Sequence, residues 1–165
     1  MKIRLASSVQ LESYADGKGI RMVIWNQGCL MHCPGCHNPE THDTNGGQEY
    51  EIDDIKKIIF NNKNTHQGIT LSGGDPFLQV DANMELANYA HSLGLDVWAY
   101  CGLTFEKISL DNEKKKLLEQ CDILVDGAFV LKLKDKRLAF RGSSNQRIID
   151  VQKSLQKGEV IEINL

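Results

Sequence analysis

Short apolar runs alternate along this chain with stretches in which apolar residues recur at helical spacing. "RMVIWNQ" (Arg21 to Gln27) is rich in β-formers and stops at Gly28, which predicts a strand feeding a loop. Ile52, Ile55, Ile58 and Ile59 then share one face of a segment that Asp53 and Asp54 open and "NNKN" ends, the pattern of an amphipathic helix. "GITLSGG" (Gly68 to Gly74) is a second strand, running into paired glycines. Asp81 is expected to cap a helix whose Met84, Ala87, Ala90 and Leu93 face one way before Gly94 stops it. "LDVWAYCG" gives a third strand, "DNEKKKLLEQ" a charged helix and "CDILVDG" a fourth strand. "NQRIIDVQKSL" reads as a late helix with Ile148, Val151 and Leu155 on one side, and the alternating tail "EVIEINL" as a last strand.

A strand followed repeatedly by a helix implies a parallel sheet with right-handed crossovers, because a parallel neighbour is reached only by passing over the sheet. The class is α/β, and 165 residues without an internal repeat or a Pro/Gly/Ser-rich linker suit a single domain over residues 1–165. The irregular motifs Cys29 to Cys36, Gly73 to Asp75, Tyr100 to Gly102 and Asp126 to Gly127 each fall just past the carboxyl end of a predicted strand. Parallel sheets place their sites at that edge, so one active site is expected there.

Composition narrows the field. With 41% hydrophobic and 25% charged residues and a formal charge of −3, the chain gives no reason to expect nucleic acid or an anionic membrane as partner. "LKLKDKR" (Leu131 to Arg137) is locally basic and reads as a solvated edge or loop. The start "MKIRLASSVQ" lacks the apolar core of a signal peptide, and no apolar run is long enough to span a bilayer, so a cytoplasmic protein is expected. Five cysteines are an odd number, and three of them stand close together, which favours reduced thiols or thiolate ligands over disulfides.

Those three are Cys29, Cys33 and Cys36 in "GCLMHCPGCHNPE". Structural zinc takes four protein ligands, which His32, His37 or His42 could complete, although the adjacent Cys36 and His37 do not easily point at one ion. Iron is the better candidate, because three thiolates on a four-iron cubane leave one iron open to a substrate or cofactor. Cys101 and Cys121 stand alone and far off in sequence.

This CxxxCxxC spacing resembles the signature of the radical S-adenosylmethionine enzymes, in which the open iron of a [4Fe-4S] cluster is chelated by the cofactor. "DGKGIR", "GCLMHCPGCHNPETHDTNGG" and "SGGDPF" are similar to segments of the enzymes that activate glycyl radical proteins. "VWAYCGLTFEKI", "CDILVDGAF" and "RGSSNQRIIDVQKSL" look like those of the activators of anaerobic ribonucleoside-triphosphate reductase; together the segments run from Asp16 to Leu155. Length and the expected elements suggest an abbreviated, partial (β/α) barrel with a curved, mostly parallel sheet, its shortness leaving a lateral opening for a protein loop. The resemblance implies that an electron entering the cluster cleaves S-adenosylmethionine to a 5'-deoxyadenosyl radical, which takes a hydrogen atom from a glycine of the reductase. A flavodoxin or ferredoxin-like electron donor follows, with no catalytic side chain beyond cluster and cofactor. An activator of formate lyase, a small-molecule enzyme such as a deazapurine synthase, and a non-enzymatic iron–sulfur or zinc module are the other readings.

Residue by residue, the resemblance makes Cys29, Cys33 and Cys36 the cluster ligands. Gly73, Gly74 and Asp75 become the motif that holds the methionine amino group, with Asp75 where glutamate is common. His37 and Asn38 follow the last ligand and lie against the cofactor, and Gly35 fills a slot where many relatives carry an aromatic residue. Tyr100 borders the cofactor or closes a core margin. Asp16, Gly17 and Arg21 belong to a surface near the entering glycine loop or to a solvated loop. Arg141, Asn145 and Gln146 serve the same partner or cap the last helix.

Overall fold

Four of the predicted apolar runs lie side by side at the centre of one sheet in the computed structural model, which describes residues 1–165. In chain order the elements are β1 (Lys2–Leu5), β2 (Gln10–Ser13), β3 (Arg21–Asn26), β4 (Gln48–Glu51), α1 (Ile52–Asn62), β5 (Gly68–Gly73) and α2 (Val80–Ser92). There follow β6 (Asp96–Cys101), α3 (Phe105–Leu110), α4 (Asn112–Leu118), β7 (Ile123–Asp126), β8 (Arg147–Asp150) and α5 (Val151–Lys157). The order is β4-β1-β3-β5-β6-β7-β8, with β2 against β3. Strands β3, β5, β6 and β7 are mutually parallel and joined by helical crossovers, whereas β1, β2, β4 and β8 pair antiparallel around them. The outermost strands β4 and β8 do not meet, so the sheet is an open, partial barrel. No helix is long and apolar enough to cross a membrane.

Side chains alternate across the sheet, and the two faces have different fates. Met22, Ile24, Ile69, Leu71, Val97, Ala99 and Leu124 point to the face covered by all five helices, in a core of 27 buried residues. The opposite face carries a small apolar cluster, Trp98, Val125 and Ile148, packed with Tyr100, Ile123, Phe140 and Ile163, none of them helical. Helices on one face alone leave the other for a site. Their ends are closed locally: the side chains of Thr104, Asp111 and Asp150 accept hydrogen bonds from first-turn amides of α3, α4 and α5.

Several expectations are corrected. Asp81 lies in the first turn of α2, where its charge faces the positive end of the helix, and the chain enters through Gln79. The segment Asn145 to Leu155 is not one helix: Arg147–Asp150 pairs with β7, and α5 begins only after the Asp150 carboxylate has capped it. Ile148 and Ile149, adjacent and both buried, fill opposite faces of the sheet, as strand residues do. The tail makes a single bridge between Glu162 and Ile149 and no strand. The antiparallel strands β1, β2 and β4 and the short α3 are additions to the expected order.

Arg21 is the largest departure. Its side chain is fully buried, and the expected partner-facing role is closed to it. The guanidinium donates to Thr70 Oγ1 at 2.8 Å, to the Ile69 and Lys18 carbonyls, and to Asp96 at 2.5 Å, and it lies over the Trp98 ring. Gly17 is buried beside it, since a Cβ there would meet Arg21 Cδ at 2.7 Å and Trp98 at 2.9 Å. "DGKGIR" is thus tied to the inner face by a buried cation. Burial lowers the Arg21 pKa, and the Asp96 contact opposes that shift. Arg21→Met keeps the stem but leaves these acceptors unpaired, and a loss of about 3 kcal/mol in anaerobic denaturant unfolding is expected.

Candidate functional site

The open face and the carboxyl edge of the parallel strands enclose a cavity of about 610 Å³, within the range that holds cofactor-sized ligands. Cys29, Cys33 and Cys36 line it together with Gly73, Gly74, Tyr100, Cys101, Gly102 and Gly127. Each strand-end motif of the sequence therefore reaches one space, although not through every residue named.

The thiol loop leaves β3 at Gln27 and is held almost wholly by main-chain bonds. Gly28 N–H donates to Thr41 O at 2.7 Å, Cys29 N–H to His42 O at 3.2 Å, and Cys36 N–H to Cys33 O at 3.1 Å. The buried Gln27 amide donates to the carbonyls of Glu40 and Asp43, closing the base of the loop. All three thiols are half-buried and free. Burial raises the Cys29 thiol, so ligating iron has to displace its proton. Asn38 N–H donates to Cys36 Sγ at 3.4 Å, the kind of bond that tunes a cluster thiolate.

Gly73 and Gly74 bring the next loop against this one. Gly74 N–H donates to Asn26 O at 3.1 Å, and Asp75 N–H to Gly28 O at 2.8 Å. A Cβ on Gly73, which has φ of +119°, would strike the Asn26 backbone, and one on Gly74 would strike the Gly28 carbonyl. Asp75 corrects the expectation for its side chain. Its carboxylate does not line the cavity; it accepts from Phe77 N–H at 2.9 Å, capping the short turn Pro76–Leu78, and from Cys101 Sγ at 3.5 Å. Proline at the next position fixes the turn that points it inward. Burial raises the Asp75 pKa, which makes the ionised carboxylate a cost to the folded state that grows as pH rises through that pKa. Asp75→Asn preserves an acceptor for Phe77 N–H, and unfolding midpoints at neutral pH within about 1 kcal/mol of wild type are expected, with S-adenosylmethionine affinity little changed. A direct ammonium ligand would lose that affinity.

Further lining comes from a flap between β7 and β8. Phe129 and Leu138 to Gly142 face the cavity, and the flap is pinned by Gln146, whose side chain accepts from Gly142 and Ser143 N–H and donates to Gly127 O. Arg141 lines the cavity and donates through Nη1 to Gln146 O, while its Nε is buried without a partner. Asn145 is exposed, bonds Ala128 O and lies off the lining; neither it nor Gln146 caps α5, whose cap is Asp150. Tyr100 borders the cavity and its hydroxyl donates to Phe140 O at 2.8 Å, a bond that fixes the flap; burial pushes its pKa up. His37 and Asn38 line the cavity, His37 tilted against Phe129. Asp16 lines it too, its carboxylate bonded to Ser13.

Sequence reasoning missed Phe129, Leu138, Phe140, Met31 and Tyr14. At Gly35, Leu131 Cδ1 lies 2.9 Å and Phe129 Cε2 3.4 Å from where a Cβ would stand, so the flap occupies the place of the absent aromatic side chain. Neither remaining thiol completes the set. Cys101 is buried, donating to Asp75 and accepting from Leu103 N–H, and Cys121 donates to Leu117 O inside the helical core.

The residues suit an iron–sulfur cluster with a small cofactor beside it. No His, Cys, Asp or Glu group converges as the ligands of one ion do. Thiolates that take different corners of a cubane need no common point, and a soft all-thiolate set favours iron–sulfur chemistry. Gly73 and Gly74, whose missing side chains let their loop close against the thiol loop, line the same space.

Comparison with known proteins agrees with this geometry. Residues 15–149 match the family model described as "4Fe-4S single cluster domain". The chain is 38% identical over 138 residues to the anaerobic ribonucleoside-triphosphate reductase-activating protein of Salmonella typhimurium, covering 79% of this chain and 88% of that one. It is 33% identical to the protein of that name from Enterobacteria phage T4, covering 82% and 86%. Pyruvate formate-lyase-activating enzyme of Listeria monocytogenes is 32% identical over 162 residues, which are 92% of this chain and 63% of that enzyme.

Proposed function

Because the chain belongs to the family of anaerobic ribonucleoside-triphosphate reductase-activating proteins, we infer that it is an iron–sulfur activase that makes that reductase competent by generating a radical on one of its glycines. When bound, the [4Fe-4S] cluster and S-adenosylmethionine supply the reductive cleavage and the hydrogen-atom abstraction that this requires. The chain's own residues hold and shield. Cys29, Cys33 and Cys36 offer three thiolates and no fourth, while Gly73 and Gly74, packed against the thiol loop, line the same cavity with backbone that can offer carbonyls to an ammonium. Asn38, His37 and Tyr100 border the same space, and the flap covers it, limiting water.

One observation carries the reading: three free thiols and a side-chain-free glycine loop share one cavity on the sheet face that no helix covers. A flavodoxin or ferredoxin-like donor and a reducing cytoplasm belong to the same reading. The test is to reconstitute the protein anaerobically, add S-adenosylmethionine under a reductant, and mix it with the reductase of its own organism. A changed cluster spectrum and a glycyl radical doublet are expected. A doublet only with formate lyase would instead favour the second reading, which the 32% identity to a formate-lyase activator supports.

A further inference from the structure

The basic segment Leu131 to Arg137 lies in the flap between β7 and β8. Four of the chain's exposed large apolar side chains lie on segments that line or border the cavity, where scattered ones would need no explanation. Tyr14, 67% exposed, lines the cavity; Leu30, 68% exposed, sits between the lining residues Cys29 and Met31. Leu131, 54% exposed, leans over Gly35 between two of the thiols, and Leu133, 43% exposed, shares its turn. Met1, Leu11, Phe60, Leu110 and Leu165 are also exposed and do not line the cavity.

Beside this collar stand Lys132, Lys134, Lys136 and Arg137, with Asp135 the one carboxylate among them. Asp135 is taken by Arg137 at 3.0 Å, and none of the three lysines makes a salt bridge. Their backbone is not loose: Lys134 pairs with Ser143, Asp135 N–H donates to Gly142 O, and Ser144 N–H to Leu133 O. The arm that carries the cations is therefore stitched to the arm that carries Arg141 and Gly142 into the cavity. An apolar collar flanked by uncompensated cations, on a chain of net charge −3, suits a protein surface better than a nucleic acid or a membrane.

Resting on the functional reading above, we propose that Leu131 to Arg137 and the collar of Tyr14, Leu30 and Leu133 dock an acidic, partly apolar face of the glycyl-radical partner, seating its glycine loop over the cavity. The lysines steer and orient the encounter; the collar is what the contact buries.

The test uses the full, cluster-loaded chain carrying Lys132→Glu, Lys134→Glu and Lys136→Glu, beside a variant with arginine at the same three positions. Methionine release from S-adenosylmethionine under a chemical reductant, without the reductase, is expected to match wild type in both. With subsaturating reductase, glycyl radical formation by the glutamate variant is expected to slow on the order of tenfold or more and to lose its salt dependence, and the arginine variant to retain both. Equal rates and equal salt dependence in all three proteins would overturn the docking surface alone. So would normal activation by the glutamate variant accompanied by lost retention on single-stranded DNA or phosphatidylglycerol vesicles. No doublet even from wild type would overturn the functional reading, and the docking surface with it.

Discussion

Replacing any one of Cys29, Cys33 and Cys36 by alanine is expected to drop the iron content of the anaerobically reconstituted protein from about four per chain to near background and to abolish S-adenosylmethionine cleavage. Three thiolates are the minimum that holds a cubane with one open corner, and the two other cysteines are committed elsewhere. Cys101 Sγ lies between the Asp75 carboxylate and Leu103 N–H, and Cys121 Sγ bonds a helical carbonyl in the core. Neither can swing in as a substitute without leaving a buried group unpaired. The polypeptide itself should survive the substitution, because the loop is closed by main-chain bonds and by Gln27, and the thiols are only half-buried. Cys101→Ala is the control and should keep its iron. Iron counts and the reduced paramagnetic spectrum decide the matter: a Cys33→Ala protein with a full cluster that still responds to S-adenosylmethionine would remove the basis for the ligand set.

The second large effect is expected at Gly74. Its backbone conformation is one that alanine can adopt, so the substitution tests space alone. An alanine Cβ would collide with the Gly28 carbonyl oxygen and come within 3.0 Å of the Thr41 carbonyl, both main-chain atoms that cannot rotate away. The strand-end loop must then back off from the thiol loop, breaking the Asp75 N–H to Gly28 O bond that now measures 2.8 Å. Overpacking of this kind costs about 2 kcal/mol, and because the strain lies where the two loops meet, it should be read as roughly a thirtyfold weaker S-adenosylmethionine affinity with iron content retained. Titrating the cofactor against the cluster spectrum measures it. Unchanged affinity in Gly74→Ala would mean that the close approach of the two loops does not shape the cofactor's place.

What could be read in advance depended on whether a residue's environment was local. The central strands were legible because β3, β5, β6 and β7 each carry a short apolar run buried in the middle of the sheet, and the thiol loop because ligand spacing is a local property. Gln48–Glu51 was not legible, since it is a mostly exposed polar strand whose only reason to exist is its pairing with β1. Arg147 to Asp150 was misread as helix because Ile148, Val151 and Leu155 also fit helical spacing; the ladder with β7 and the Asp126–Arg147 ion pair decide otherwise. Arg21 is buried because Asp96, 75 residues away, and the Ile69 carbonyl are there to receive it. The orientation of Asp75 was likewise hidden, for the same few residues could aim a carboxylate at a ligand or fold it back onto their own turn.

All five helices pack on one side of the sheet, and the flap stands on the other with only a small cluster beneath it. Reshaping the flap therefore disturbs little of what holds the scaffold upright. A lineage could trade one macromolecular client for another by editing the residues between β7 and β8 while inheriting the ligating loop intact, so recognition and chemistry in this architecture are free to evolve at separate rates.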